Sequence, residues 1–141
     1  MHFDVAISLS NLGTVLEDEH DYDGALLSLR RAASIAEETL GAEHPYYGGF
    51  LANIAEVLVL RNEASLALPL LEQAHRICQA SGCSKEFLAQ IRFYLARALV
   101  LTGGDARRAR SLAREAYELY GAIPSLESKR KDVKAWLARQ K

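Results

Sequence analysis

The feature that most constrains this chain is an internal repeat with a period of 42 residues. Apolar positions of the first unit recur in the second, as Leu9 with Leu51, Leu12 with Ile54, and Leu16 with Leu58. Small positions recur twice, as Ala25, Ala67 and Ala109, and as Ala32, Ala74 and Ala116. Self-similarity at a fixed period of this length is typical of arrays in which one supersecondary unit stacks on the next.

Each unit has the pattern of two amphipathic helices. Apolar residues lie three and four apart, which places them on one helical face. A small residue, Gly13, Ala55 or Ala96, lies within the first helix of each unit and predicts close approach of a neighbouring helix. Half of the residues are apolar and only three are proline, so the composition favours helix throughout. We predict an all-α fold of seven helices, at about residues 4–19, 23–40, 46–61, 65–80, 85–102, 106–120 and 126–139.

The turns between paired helices support the same division. His20, Asn62 and Gly104 lie 42 residues apart and belong to the residue types that accept a positive φ, so we predict a left-handed backbone at each. In the third unit the first helix matches at an offset of 41, and the Gly103–Gly104 doublet absorbs the difference. We expect Pro69 in the first turn of its helix and Ser84 as a helix cap.

Length and composition exclude several classes of protein. The 141 residues suit one domain, and no apolar run approaches the roughly 20 residues that span a membrane. The N-terminus has no basic segment followed by an apolar one, so no secretory signal is expected. Two cysteines do not make a disulfide framework. We therefore expect a cytoplasmic protein, with Cys78 packed in a helix and Cys83 as a loop thiol.

No pattern of reactive residues indicates catalysis. The sequence shows no supported Ser-His-Asp or Cys-His arrangement, and the doublets Gly48–Gly49 and Gly103–Gly104 lack the lysine and spacing of a phosphate-binding loop. His75, Cys78 and Cys83 follow no established metal-ligand spacing. We expect no enzyme activity, no cofactor and no metal.

The motif Leu9-x-x-Leu12-Gly13-x-x-Leu16, followed by Asp21-Tyr22-x-x-Ala25-x-x-x-Leu29-x-x-Ala32, resembles the tetratricopeptide repeat. The 42-residue period and the linker Leu40-Gly41-Ala42-Glu43-His44-Pro45 are similar to the repeats of kinesin light chain and its bacterial relatives. The resemblance covers residues 4–120. It implies a right-handed α-α superhelix of about three helix pairs plus a capping helix. The chain would be a single domain, 1–141, with repeats at about 4–44, 46–84 and 85–121 and a capping helix at 125–139.

The resemblance also implies a function and a site. Proteins of this family use a concave groove, lined by the first helix of each repeat, to bind an extended peptide or a partner protein. Asn11 and Asn53 match the asparagine that commonly bonds the ligand backbone, whereas Tyr94 stands at that position in the third repeat. Helical spacing places these residues on the face opposite the core: Asn11, Thr14, Asp18, Asn53, Glu56, Tyr94 and Arg97. The carboxylates Glu17, Asp18 and Glu56 suggest a ligand with some basic character.

An uneven charge distribution leaves two alternatives open. Residues 1–60 carry a balance of −8 and residues 61–141 a balance of +7. The acidic and basic ends would suit a structural module that self-associates, for instance as a homodimer through its repeat ends or charged faces. The basic half would suit a regulatory domain of a larger bacterial signalling protein with nucleic-acid association. Sparse aromatic residues and the absence of a nucleic-acid motif argue against that second alternative.

Overall fold

The computed structural model describes residues 2–140 and contains seven α-helices and, within those residues, no strand. The helices are α1 (Phe3–Asp18), α2 (Tyr22–Leu40), α3 (Pro45–Leu60), α4 (Ala64–Ser81), α5 (Lys85–Leu101), α6 (Ala106–Gly121) and α7 (Glu127–Arg139). A short 3₁₀ turn, Pro124–Leu126, precedes α7. The all-α prediction is confirmed, and each predicted helix boundary lies within one residue of the observed one.

Helices pack in sequence order as three pairs and a seventh helix. The pairs are α1 with α2, α3 with α4, and α5 with α6, and α7 packs against α6. Each second helix also contacts the first helix of the next pair, and the first helices contact one another, α1 with α3 and α3 with α5. This arrangement is a solenoid whose first helices share one face.

Small residues hold the paired helices close together. The repeated alanines of the second helices are all fully buried: Ala25, Ala32, Ala67, Ala74, Ala109 and Ala116. A Cβ at Gly13 would lie 2.6 Å from Cγ of Leu29, which itself is only 1 % exposed. The first pair of helices therefore approaches more closely than an alanine at position 13 permits.

The turn predictions are right at two positions and wrong at the third. His20 and Asn62 have φ values of 64° and 66°, as expected. In the third repeat the left-handed residue is Gly103, with φ of 74°, and not Gly104. The physical reason is that this turn follows a first helix whose repeat offset is 41 residues, so the turn is shifted together with the helix.

The capping prediction is confirmed, whereas Pro69 lies deeper in its helix than predicted. Ser84 Oγ accepts a hydrogen bond of 3.1 Å from the amide of Phe87. Helix α4 begins at Ala64, so Pro69 falls in the second turn. Its ring leaves the carbonyl of Ser65 without the usual helical donor, which the exposed position of Ser65 tolerates.

The two cysteines form a disulfide, contrary to the prediction for Cys83. Helix α4 ends at Ser81, and Gly82 turns the backbone with φ of 78°. This turn brings Cys83 back over Cys78, with a Cα–Cα distance of 5.1 Å. Cys78 is buried as expected. Disulfides persist mainly in oxidising compartments, so the cysteine count no longer argues for a cytoplasmic location.

Ion pairs connect the repeats on the outer surface. Arg108 of α6 donates two hydrogen bonds, of 2.8 and 2.9 Å, to the carboxylate of Glu72 on α4. These bonds hold the pKa of Glu72 below its usual range. Within residues 2–140 no helix has the length and apolar character needed to cross a membrane.

Candidate binding groove

The first helices form a groove made of three adjoining cavities. The first cavity lies between α1, α3 and α5, and the next two extend along α5 toward α7. All seven predicted groove residues line these cavities: Asn11, Thr14, Asn53 and Glu56 in the first, Asp18 and Tyr94 in the second, and Tyr94 and Arg97 in the third. We refer to the three cavities together as the concave groove.

A line of polar side chains crosses the floor of the groove. Asn53 Nδ2 donates to Ser10 Oγ over 3.1 Å, which joins α3 to α1. Gln90 Nε2 donates to Asn53 Oδ1 over 2.8 Å and to Glu56 Oε1 over 3.1 Å, which joins α5 to α3. Ser10 and Gln90 are 7 and 8 % exposed, so these bonds are shielded from water.

The two asparagines that the motif equates have different surroundings. Asn53 uses both atoms of its amide within the polar line. Asn11 is exposed, and its amide forms no hydrogen bond with any residue from 2 to 140. Only Asn11 therefore presents a complete, uncommitted amide to a ligand.

Glu17 and Glu56 form a carboxyl pair beside the polar line. Burial raises the pKa of Glu17 to about 9, and the hydrogen bond to Glu56 and repulsion from Glu56 and Asp18 act in the same direction. Lys129 opposes the rise in pKa through its positive charge. At neutral pH the pair consequently holds a proton between its two carboxyl groups.

Aromatic residues form the wall of the second and third cavities. The guanidinium of Arg97 lies 4.9 Å from the ring centre of Tyr94 and 5.5 Å from that of Phe93. Tyr120 lines the second cavity, is 3 % exposed, and its hydroxyl has no hydrogen-bond partner within residues 2–140. Burial raises the pKa of Tyr94 and of Tyr120, and the nearby carboxylate of Glu56 adds to both shifts.

Three groove residues were not identified from the sequence. Lys129 and Asp132 belong to α7, and Tyr120 belongs to α6. The repeat contains a signal for the first two, since Lys129 and Asp132 lie 42 residues after Phe87 and Gln90, which also line the groove. Helix α7 thus occupies the place of a fourth first helix. Tyr120 has no such signal, because it comes from a second helix.

Comparison with known proteins agrees with this geometry. A family model described as Tetratricopeptide repeat matches residues 4–80. A crystal structure of the nearly identical TPR-like repeats assigned to a Podosopora anserina kinesin light chain superposes with a TM-score of 0.78 at 23 % identity, covering 99 % of this chain and 66 % of the other. The N-terminal domain of stress-induced protein-1 from C. elegans superposes with a TM-score of 0.63 at 17 % identity, covering 94 and 96 %. A search of curated proteins returned no match.

Proposed function

Because this chain belongs to the tetratricopeptide repeat family, we propose that it is a binding module whose concave groove holds an extended segment of a partner protein. Folds of this family typically mediate protein–protein interaction. The shared lining by α1, α3, α5 and α7 supports the proposal, since a continuous groove across several helices suits an extended chain. The proposal assigns the chain no catalytic step, cofactor or metal.

The observation that carries the choice of ligand is the surplus of carboxyl groups in the groove. The first two cavities contain one cation, Lys129, and five acidic side chains: Glu17, Asp18, Glu56, Glu86 and Asp132. A ligand segment with lysine or arginine side chains complements this charge. The partner segment that we propose is therefore basic, and one of its cations lies beside the Glu17–Glu56 pair.

Polar groups at the edges of the groove would position the ligand backbone. The free amide of Asn11 can both donate to and accept from a peptide unit without regard to the ligand's side chain. Arg97 can donate to a ligand carbonyl while its guanidinium stays stacked on Tyr94. Asn53 contributes by fixing Gln90 and Ser10 in place rather than by contacting the ligand with a free amide.

Binding of a cation beside the carboxyl pair should release its proton. Since the pKa of Glu17 is raised to about 9, the pair carries that proton at pH 7 and loses it when a positive charge approaches. Affinity for a basic ligand should therefore increase between pH 6.5 and 8.5, by up to about tenfold per pH unit at the steepest point. Calorimetric titration in two buffers of different ionisation enthalpy measures the released proton.

A selection of random peptides displayed on phage tests the proposal. We expect enriched peptides to contain lysine or arginine, and to lose affinity for Asn11→Ala and for the Glu17→Gln/Glu56→Gln double variant. Gln79→Ala is the matched control, because this exposed amide lies on α4, a second helix, outside the groove. Enrichment of peptides that bind all these variants equally would exclude the groove as the binding site.

A further inference from the structure

The outer face of α1 carries an apolar stripe that no helix within residues 2–140 covers. Val5, Leu12 and Val15 are 39, 47 and 53 % exposed and follow one another along one side of the helix. Asp4, Ser8 and Leu9 complete a shallow apolar depression with Val5 and Leu12. We call this set of six residues the α1 outer face. It is separate from the concave groove, with which it shares no lining residue.

The internal repeat shows what this type of face contacts elsewhere in the molecule. The positions equivalent to Leu12 are Ile54 and Leu95, which are 4 and 0 % exposed. The positions equivalent to Val15 are Val57 and Ala98, both 0 % exposed. Helix α3 packs against α2, and α5 packs against α4. The α1 outer face is therefore one half of an interface that the molecule already forms twice, with a second helix as the other half.

The two ends of the solenoid differ in this respect. No large apolar side chain of α7 is exposed, and its outward positions are mostly polar or charged, with Lys131 and Lys134 among them. A polar outer surface is what closes the end of a helical array. Helix α1 has no such surface, so burying its stripe would gain the free energy that α7 has no comparable surface to provide.

Pairing with a second copy of this chain fits the face poorly. Helix α1 contains Asp4, Glu17 and Asp18 and no basic residue, so a two-fold α1–α1 contact would place like charges together. The second helices of another copy are already covered, each by the first helix that follows it. The exposed surface of α7 offers no large apolar side chain to bury the stripe.

We propose that the α1 outer face docks an amphipathic helix of another polypeptide, with small apolar residues on one side and basic residues beside them. The second helices of this chain show the required pattern. Helix α6 has buried Ala109, Ala113 and Ala116 on one side, and it carries four arginines. Its apolar side matches the surface that covers α7, and its positive charge complements the acidic α1.

A labelled peptide of residues 105–122 is the probe, titrated against the intact chain by fluorescence anisotropy. We expect saturable binding within a peptide concentration of about 1 mM and a loss of about tenfold or more in affinity for Leu12→Lys and for Val15→Lys. Leu27→Lys is the control, since Leu27 is 75 % exposed on α2, and it should change affinity less than about twofold. Circular dichroism checks that every variant keeps its helices.

Three results would overturn this assignment. The first is no binding to the unmodified chain, or equal binding to Leu12→Lys and Val15→Lys. The second is binding that survives Leu12→Lys but disappears in Glu17→Gln/Glu56→Gln, which would place the basic peptide in the concave groove. The third is a dimer in sedimentation velocity that Leu12→Lys dissociates, which would give the face to a second copy of this chain.

Discussion

Replacing Glu17 by glutamine should make the protein more stable in mildly alkaline solution. Glutamine keeps the shape of the side chain and donates a hydrogen bond to Glu56 through its amide, as the shared proton does. It removes the requirement to hold a proton in the folded state. The variant should therefore lose the pH dependence that Glu17 causes, while the groove keeps its geometry.

The sign and size of the effect follow from the pKa of Glu17, which burial and the Glu56 contact raise from 4.5 to about 9. Between these pH values the folded chain holds a proton that the unfolded chain releases, so stability falls as pH rises through this window. The full slope is about 1.4 kcal/mol per pH unit, or about 2 kcal/mol from pH 7 to 8.5. Solvent screening of the partly exposed carboxyl reduces this difference to about 1 kcal/mol.

Urea unfolding followed by circular dichroism at pH 7 and 8.5 measures the difference. This interval lies above the titration of His75, whose pKa burial and the nearby arginines lower, and below that of Tyr94 and Tyr120, whose pKa values are raised. Glu19→Gln, an exposed carboxyl at the end of α1, is the control. Parallel loss of stability in the unmodified chain and in Glu17→Gln would refute the shared-proton reasoning.

Three further predictions concern the fold. Reduction of the Cys78–Cys83 bond, which closes a loop of five residues' separation, should lower stability by about 2 kcal/mol, and dithiothreitol should have no such effect on Cys83→Ser. Gly13→Ala should lower the free energy of unfolding by about 1 kcal/mol, because the new Cβ meets Leu29 and outweighs the gain in helix propensity; Gly48→Ala, whose nearest side-chain neighbour lies at 3.3 Å, should cost less. Asn62→Ala should cost about 1 kcal/mol in thermal or urea unfolding because φ is 66° there, whereas Asn62→Gly should be nearly neutral.

The helices could be predicted from the sequence because their signals are local and repeated. The spacing of Leu9, Leu12 and Leu16 defines a buried face, and its recurrence at Leu51, Ile54 and Leu58 confirms the same face independently. The errors arose where neighbouring residues were chemically alike. Gly103 and Gly104 both accept a positive φ, and only the one-residue shift of the preceding helix decides between them.

The groove was predictable only in part, because helical spacing gives the face of a residue but not its partner. It placed Asn53 correctly and gave no indication that Ser10 and Gln90 would occupy its amide. Lys129 and Tyr120 enter the groove through the curvature of the whole array, which brings α6 and α7 toward α1. The disulfide likewise depended on the reversal of the backbone at Gly82.

The polar line from Ser10 through Asn53 to Gln90 makes the groove a ruler. Any change in the pitch of the array would separate successive first helices and stretch contacts of 3.1 and 2.8 Å that are shielded from water. The spacing between recognition points along α1, α3 and α5 is thus built in before a ligand arrives. A partner segment would be selected by the interval between its side chains as much as by their chemistry, and inserting one residue between two contacting positions should place them out of step.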